Sequence, residues 1–407
     1  MKISTFPGCM APGPWLRGMA LRARVCSLAW ALLLTAPFIG CGGGVGEEGT
    51  GLEQPSASVG VLQGLSEKTV TVNGVSYSRS EATLTDGFGQ PLPEQALGLG
   101  MWLEVIGRID DSGRQGVADS IRVRAAARGV VSASSPGRLT LTVFDSSVRL
   151  SAGTVLEGAA NVSALAAGDL VEVHGPLSNA AGDVSASRVE KLRSAPAPAD
   201  GFELRGRVSQ LDTINKTMLV GRRAVSYASA RLTLRAALAN GQTVRVSATT
   251  APVGATPWAV ARLTSDLALP ANLSFLYTEG FVDELRSGPA FNLEDLPVDA
   301  TSAEGKSAVT SEGLRVAVVG ALNAGVLKAK SLVVVQPGEP VVFTLGGPVA
   351  EFVSSASFKV RNVAIDASTA TFASPLTPAG LANGVRVRIT GTVQGRGLLA
   401  SRVEALP

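Results

Sequence analysis

The sequence predicts an all-β chain of five tandem small antiparallel β-barrels in an elongated array, with small β-sandwiches as the alternative. Three observations carry that expectation. Hydrophobic residues make up 45% of the 407 residues but aromatics only 5%, and 46 Gly and 22 Pro punctuate the chain. This mixture favours many short strands and turns over long helices. Alternating apolar and polar residues recur in runs of four to six, as in Leu139-Thr-Leu-Thr-Val143 and Val385-Arg-Val-Arg-Ile389, the period of a strand with one face buried. Finally, three short anchors return five times along the chain at near-constant spacing. Length alone suggests two to four domains at roughly 100–200 residues each, and the repeats raise that number.

The chain opens on an export pattern. Arg22 and Arg24 precede an apolar stretch from Val25 to Ile39. At 1.5 Å per residue it spans roughly 22 Å, short of the roughly 30 Å hydrocarbon core of a bilayer. Residues 1–40 therefore read as a signal peptide, with Met1, Met10 and Met19 as alternative starts. The stretch ends Phe38-Ile39-Gly40-Cys41, which resembles the bacterial lipobox, with Phe38 where Leu is usual. The resemblance implies that Cys41 is acylated and becomes the first mature residue. Gly42 rather than Asp after it implies the outer membrane. Residues 41–57, Gly-rich and then polar, read as a lipidated flexible tether.

The repeats follow. The first anchor is a Gly, two residues, an alternating strand and a closing Gly. It begins at Gly100, Gly168, Gly241, Gly313 and Gly384, which are 68, 73, 72 and 71 residues apart. It closes at Gly107, Gly175, Ala248, Gly320 and Gly391, so the third copy departs. Upstream lies a Gly opening a Val-containing strand: Gly60, Gly129, Gly206, Gly280 and Gly347. Downstream lies Ala118-Asp-Ser-Ile121 and its counterparts, ending with Ala400-Ser-Arg-Val403. Each unit thus runs strand, hairpin, strand, loop, strand, turn, strand. In the first, Asn73-Gly74 breaks the alternation as a type I′ hairpin turn does. The outer face of each strand, carrying Thr, Arg and Glu, is expected to meet water.

Short antiparallel strands leave exposed edges unless the sheet closes. An OB-like or SH3-like barrel is the expected solution. The domains are placed at 58–126, 127–194, 201–266, 274–336 and 341–407. Pro-rich spacers at Ser194–Asp200 and Gln336–Pro340 fit two of the boundaries. The order Gly-x-Val, Thr-Val-Asn-Gly-Val, Gly-x-x-Val-x-Val-x-Gly and Ala-x-x-Ile resembles domain of unknown function family 5666, over about residues 58–406. That resemblance implies fold and export, and assigns no activity and no functional residues.

Composition bounds the chemistry. The four bases and no acids of residues 1–40 leave 32 bases against 33 acids in the rest. A near-neutral array has no field to attract nucleic acid, so no nucleic-acid partner is expected. All three cysteines, Cys9, Cys26 and Cys41, precede the array, which removes thiolate metal sites and Cys nucleophiles from it. No cofactor and no metal are expected. His174, the single histidine, reads as a surface or pocket residue without a catalytic partner. Asp110-Asp111 reads as turn chemistry, and Glu294-Asp295 lacks the further ligands of a calcium loop. Gly346-Gly347 lacks the Lys-Ser/Thr of a phosphate loop. Trp102 and Trp258 are the tryptophans available for stacking on a base or sugar.

The sequence therefore predicts a non-enzymatic binding or scaffolding lipoprotein of the cell envelope, anchored in the outer membrane and facing the periplasm or the outside. Its catalytic residues are none and its ligand is left open; its expected partners are the membrane, through the lipid anchor, and an envelope protein or polysaccharide as candidates. The alternatives are an oligosaccharide-binding OB-like array and a hydrolase using carboxylates.

Overall fold

The computed structural model describes residues 52–406 apart from 287, 337–339 and 395–396. The expected signal peptide, Cys41 and the first part of the tether lie outside the described residues.

The first repeat shows how each unit is built. Its strands are β1 (Leu52–Leu65), β2 (Thr69–Val72), β3 (Val75–Ser78), β4 (Thr83–Thr85), β5 (Trp102–Asp110) and β6 (Gln115–Val123). The β2–β3 hairpin turns on Asn73 and Gly74, both at positive φ as a type I′ turn requires. The long β1 pairs β2 with its second half and β5 with its first. β6 runs antiparallel to β5 and parallel to β3. The ring β1–β2–β3–β6–β5–β1 is closed, and β4 adds to β6 in parallel. Closure pairs the strand edges that a two-layer sandwich would leave open. The barrel is OB-like, and its interior holds Val59, Val70, Val72, Leu103, Val105 and Ile121.

The same ring recurs four times. Hairpins at Thr140–Arg149, Thr217–Ser226, Ala290–Asp299 and Ser357–Asp366 take the place of β2–β3. Copies four and five are closed by a parallel pairing to the last strand, at Leu327 and Leu398; in copies two and three that strand is broken, and the closing parallel pairing is made by its short first piece, Val184–Ser185 and Trp258–Ala259.

The anchor glycines have a structural cause. The opening glycine has φ between +79° and +96° in all five copies, a left-handed conformation that costs a residue with a Cβ roughly 1–2 kcal/mol. There the chain enters its fifth strand and clasps the first. Gly100 N–H donates to Leu62 O at 3.0 Å, and Gly168, Gly241, Gly313 and Gly384 donate to Val131, Val208, Val282 and Val349. The closing glycine serves a different need. At Gly107, Gly320 and Gly391 the pairing to the last strand shifts register, and a Cβ would collide with the carbonyl of Val117, Lys328 or Leu399. The third copy tolerates Ala248 because its strand ends there and pairs the last strand through Ser247 and earlier residues.

Two expectations are corrected. Strand begins at Leu52, inside the stretch read as tether, because residues 56–59 are held between two partners. They pair antiparallel to β5 and in parallel to Phe275–Thr278 of barrel four. The copies are also not held apart in an elongated array. Arg124 alone separates β6 from the first strand of barrel two, Ala125–Ser135. That strand pairs Glu203 and Leu204 of barrel three, and Gly64 and Leu65 pair Thr344 and Leu345 of barrel five. One continuous apolar cluster joins barrels one, four and five, and a second joins barrels two and three.

Candidate functional site

The outward faces of the barrels meet around a buried group of charges. Asp266, just after the last strand of barrel three, is its centre, with 1% of its surface exposed. Its carboxylate accepts from Arg124, from Arg205 Nη1 at 3.2 Å and from Arg245 Nη2 at 3.0 Å. Its backbone carbonyl accepts from Arg122, which pairs with Glu104 at 2.8 Å. Arg205 also pairs with Glu294 of barrel four at 3.0 Å and donates to Gly175 O of barrel two at 2.9 Å. Arg245 pairs with Glu203 and donates to Ala125 O at 2.6 Å. Four barrels thus contribute to one network.

Alternation explains how the strands deliver these side chains. In Thr243–Ala248, Val244 and Val246 point into the barrel, so Arg245 between them points out. The equivalent outward positions in copies one and two are Glu104 and Glu172. All three are buried, so the expectation that this face meets water is corrected. Periodicity separates inside from outside, and the outside here is covered by another barrel. In barrel five the same position is Arg388, which is exposed.

Burial and pairing set the protonation of the group. Burial alone would raise the Asp266 carboxyl, but Arg124, Arg205, Arg245 and Arg122 hold it far below the usual range. Burial opposes the charge on Arg124, and Asp266, Glu104 and Glu294 more than restore it. Glu203 is pushed up by burial despite Arg245. Asp295 is pushed up by burial to about 6, although it accepts the Thr243 N–H at 3.0 Å.

The residues singled out in the sequence fall as follows. His174 is fully buried between barrels one and two, which corrects its surface or pocket placement. Its Nε2 lies 2.9 Å from Glu172 Oε1, and the Trp102 N–H points at its Nδ1 from 3.5 Å. His174 and Arg128 hold Glu172 far below the usual range against the effect of burial. Asp110 Oδ1 accepts the Ser112 hydroxyl at 2.8 Å and the Arg114 and Gln115 N–H groups, which is turn chemistry. Glu294 and Asp295 sit at a hairpin turn and both enter the inter-barrel region. Gly346 and Gly347 lie within the strand Val342–Ser354. Trp102 and Trp258 are both buried, the latter 5.1 Å from the Phe144 ring. Cys41 lies outside the described residues. Among the described residues no group of three or more His, Cys, Asp or Glu could hold a metal ion.

Arg124, Arg205, Arg245 and Asp266 were not legible as a site. Their available signal was a lone Arg flanked by valines on an otherwise regular strand at Val244-Arg-Val246, and an acid just beyond the last strand of copy three.

The chain is thus a tandem array of closed, OB-like five-stranded barrels whose outer faces lock together through buried charge. Three segments, 59–122, 128–190 and 346–404, match the family described as Domain of unknown function (DUF5666). The chain therefore carries DUF5666 domains in tandem, in copies one, two and five, and copies three and four repeat the same barrel outside the matched segments. No curated protein matches the chain.

Proposed function

We propose that this chain is a cell-envelope lipoprotein acting as a non-enzymatic binding or scaffolding array, tethered to the outer membrane through an acylated Cys41. The observation that carries the scaffolding part is the Asp266 network. Buried ion pairs are weak sources of stability but can specify one arrangement of parts. Here ion pairs tie together residues of barrels one, three and four, and Arg205 and Arg245 reach barrel two through its Gly175 and Ala125 carbonyls, which gives a surface of fixed geometry for a partner. The reading of the site as non-catalytic rests on where the charged groups go. Glu294 and Asp295 are engaged with Arg205 and Thr243, and His174 with Glu172 and Trp102. The oligosaccharide alternative draws less support, since Trp102 and Trp258 are committed to cores and stacking on sugars or bases needs exposed rings.

In-cell cross-linking of the full-length chain, affinity purification and mass spectrometry test the reading, with Cys41→Ala as control. An envelope partner captured by the wild type and lost in the variant supports it. Equal capture from both, or no partner above background, contradicts the anchored scaffold.

A further inference from the structure

Between barrels one and five the outer faces of two sheets meet over a cleft of ≈ 470 Å³. Its floor is the parallel pairing of Gly64 and Leu65 with Thr344 and Leu345. One wall is the β2–β3 hairpin, where Thr71 and Ser76 alternate with the buried Val72, Val75 and Tyr77 and so point away from the barrel-one interior. The other is the strand Arg386–Gln394, where Val387 and Ile389 fill barrel five and Arg386 and Arg388 line the cleft.

Charge in this cleft is out of balance. Lys68, Arg386 and Arg388 line it against a single carboxylate, Glu67. Glu67 pairs with Arg386 at 2.8 Å, and that bond, with Arg361 and Lys68 close by, holds its carboxyl below the usual range. Arg388 reaches Glu404 only at 4.0 Å, and Glu404 is taken by Arg402 at 2.7 Å. Among the described residues the ion pairs of the cleft leave Lys68 out. Arg388 stands where Glu104, Glu172 and Arg245 stand in barrels one to three. Those three are buried, whereas 53% of the Arg388 side chain is exposed.

A second, independent property is unused hydrogen-bonding capacity that a ligand can reach. Ser66 and Thr69 satisfy each other through a hydroxyl contact of 2.8 Å. The side chains of Thr71, Ser76, Gln115 and Thr344 line the same space, none of them fully buried, and among the described residues none bonds within the chain. Hydroxyl and amide groups both donate and accept, which suits the hydroxyls of a sugar.

We propose that this cleft binds an acidic saccharide, its carboxylate or phosphate between Lys68 and Arg388 and its hydroxyls against Thr71, Ser76, Gln115 and Thr344. Hydrogen bonds from cations to such anions are roughly twice as strong as neutral ones, so recognition here needs no exposed tryptophan. A uronate and a sugar phosphate share this chemistry. An acidic peptide is the poorer fit, since Leu65 and Leu406 are the only large apolar residues of the lining. Resting on the binding-array reading, the site narrows the envelope polymer to an acidic polysaccharide.

Isothermal titration calorimetry of the purified full-length chain tests it with tetragalacturonate, mannose 6-phosphate, neutral maltotetraose and tetraglutamate as probes. Saturable, salt-sensitive binding of at least one acidic sugar is expected, tighter than that of tetraglutamate, with none of maltotetraose. Tighter binding of tetragalacturonate identifies a uronate as the ligand, and tighter binding of mannose 6-phosphate a sugar phosphate. Arg388→Glu, on an exposed side chain, is expected to weaken that binding by about tenfold or more at an unchanged melting temperature. Thr71→Val and Ser76→Ala are each expected to weaken it roughly threefold, which attraction by charge alone would not do. Tetraglutamate binding as tightly as the acidic sugars, no saturable binding of either sugar up to about 10 mM, or wild-type affinity in all three variants overturns the proposal. A null titration together with a partner captured by cross-linking would remove this cleft and leave the array reading standing.

Discussion

Asp266 and Asp295 lie at the same inter-barrel junction and carry opposite perturbations. Asp266 faces Arg124, Arg205 and Arg245, so removing it leaves three buried guanidinium groups without their shared anion. Breaking a buried pair in this way costs about 3–5 kcal/mol, and Asp266→Ala is expected to lose that much in urea unfolding. Asp111→Ala, on an exposed turn, is expected to stay within about 0.5 kcal/mol of the wild type in the same assay. Asp295 behaves differently because its carboxyl moves up, from 3.8 to about 6 on folding. Between those values the folded chain holds the proton and the unfolded chain does not. The stabilisation is therefore full below 3.8 and is lost as pH rises through 6. At about 1.4 kcal/mol per unit, Asp295→Asn should gain roughly 1–3 kcal/mol over the wild type at alkaline pH and nothing in acid. Melting curves at the two extremes check the sign.

The anchor motif belongs to the scale of the element. Its opening and closing glycines look alike in the sequence but answer different constraints. At Gly313 the backbone is left-handed and a Cβ would meet open space, so Gly313→Ala should cost about 1–2 kcal/mol. At Gly320 a Cβ would strike the Lys328 carbonyl of the neighbouring strand, so Gly320→Ala should cost more than Gly313→Ala. Chemical denaturation of the two variants side by side checks the order. The hairpins, the five-fold repeat and the closed barrel were legible because each is written in local signals: Asn73-Gly74, period-two alternation and glycine spacing. The burial of Glu104, Glu172 and Arg245 was not legible. Alternation marks which side of a strand leaves the barrel and carries no information about what covers that side.

For the described chain, the decisive contacts run between barrels. The pairing of residues 56–59 with Phe275–Thr278 joins elements more than 200 residues apart, and no motif marks either end. The Asp266 network was hidden for a related reason. Its members occupy non-equivalent places in different copies, and the counterpart of Arg245 in copy four is Ala317, so a search for repetition averages them away. The Pro-rich spacers suggested separated domains, whereas Arg124 alone joins barrels one and two and carries its charge into the shared network. Hydrogen exchange read by mass spectrometry on the wild type and Asp266→Asn reports whether the barrels are linked through this charge. Linked barrels will exchange faster together in the strands around Arg124, Arg205, Arg245 and Glu294, with the barrel-five hairpin Ser357–Asp366 unchanged. Acceleration confined to the residues flanking Asp266 would contradict that linkage, and would mean that the barrels keep their places without the shared charge.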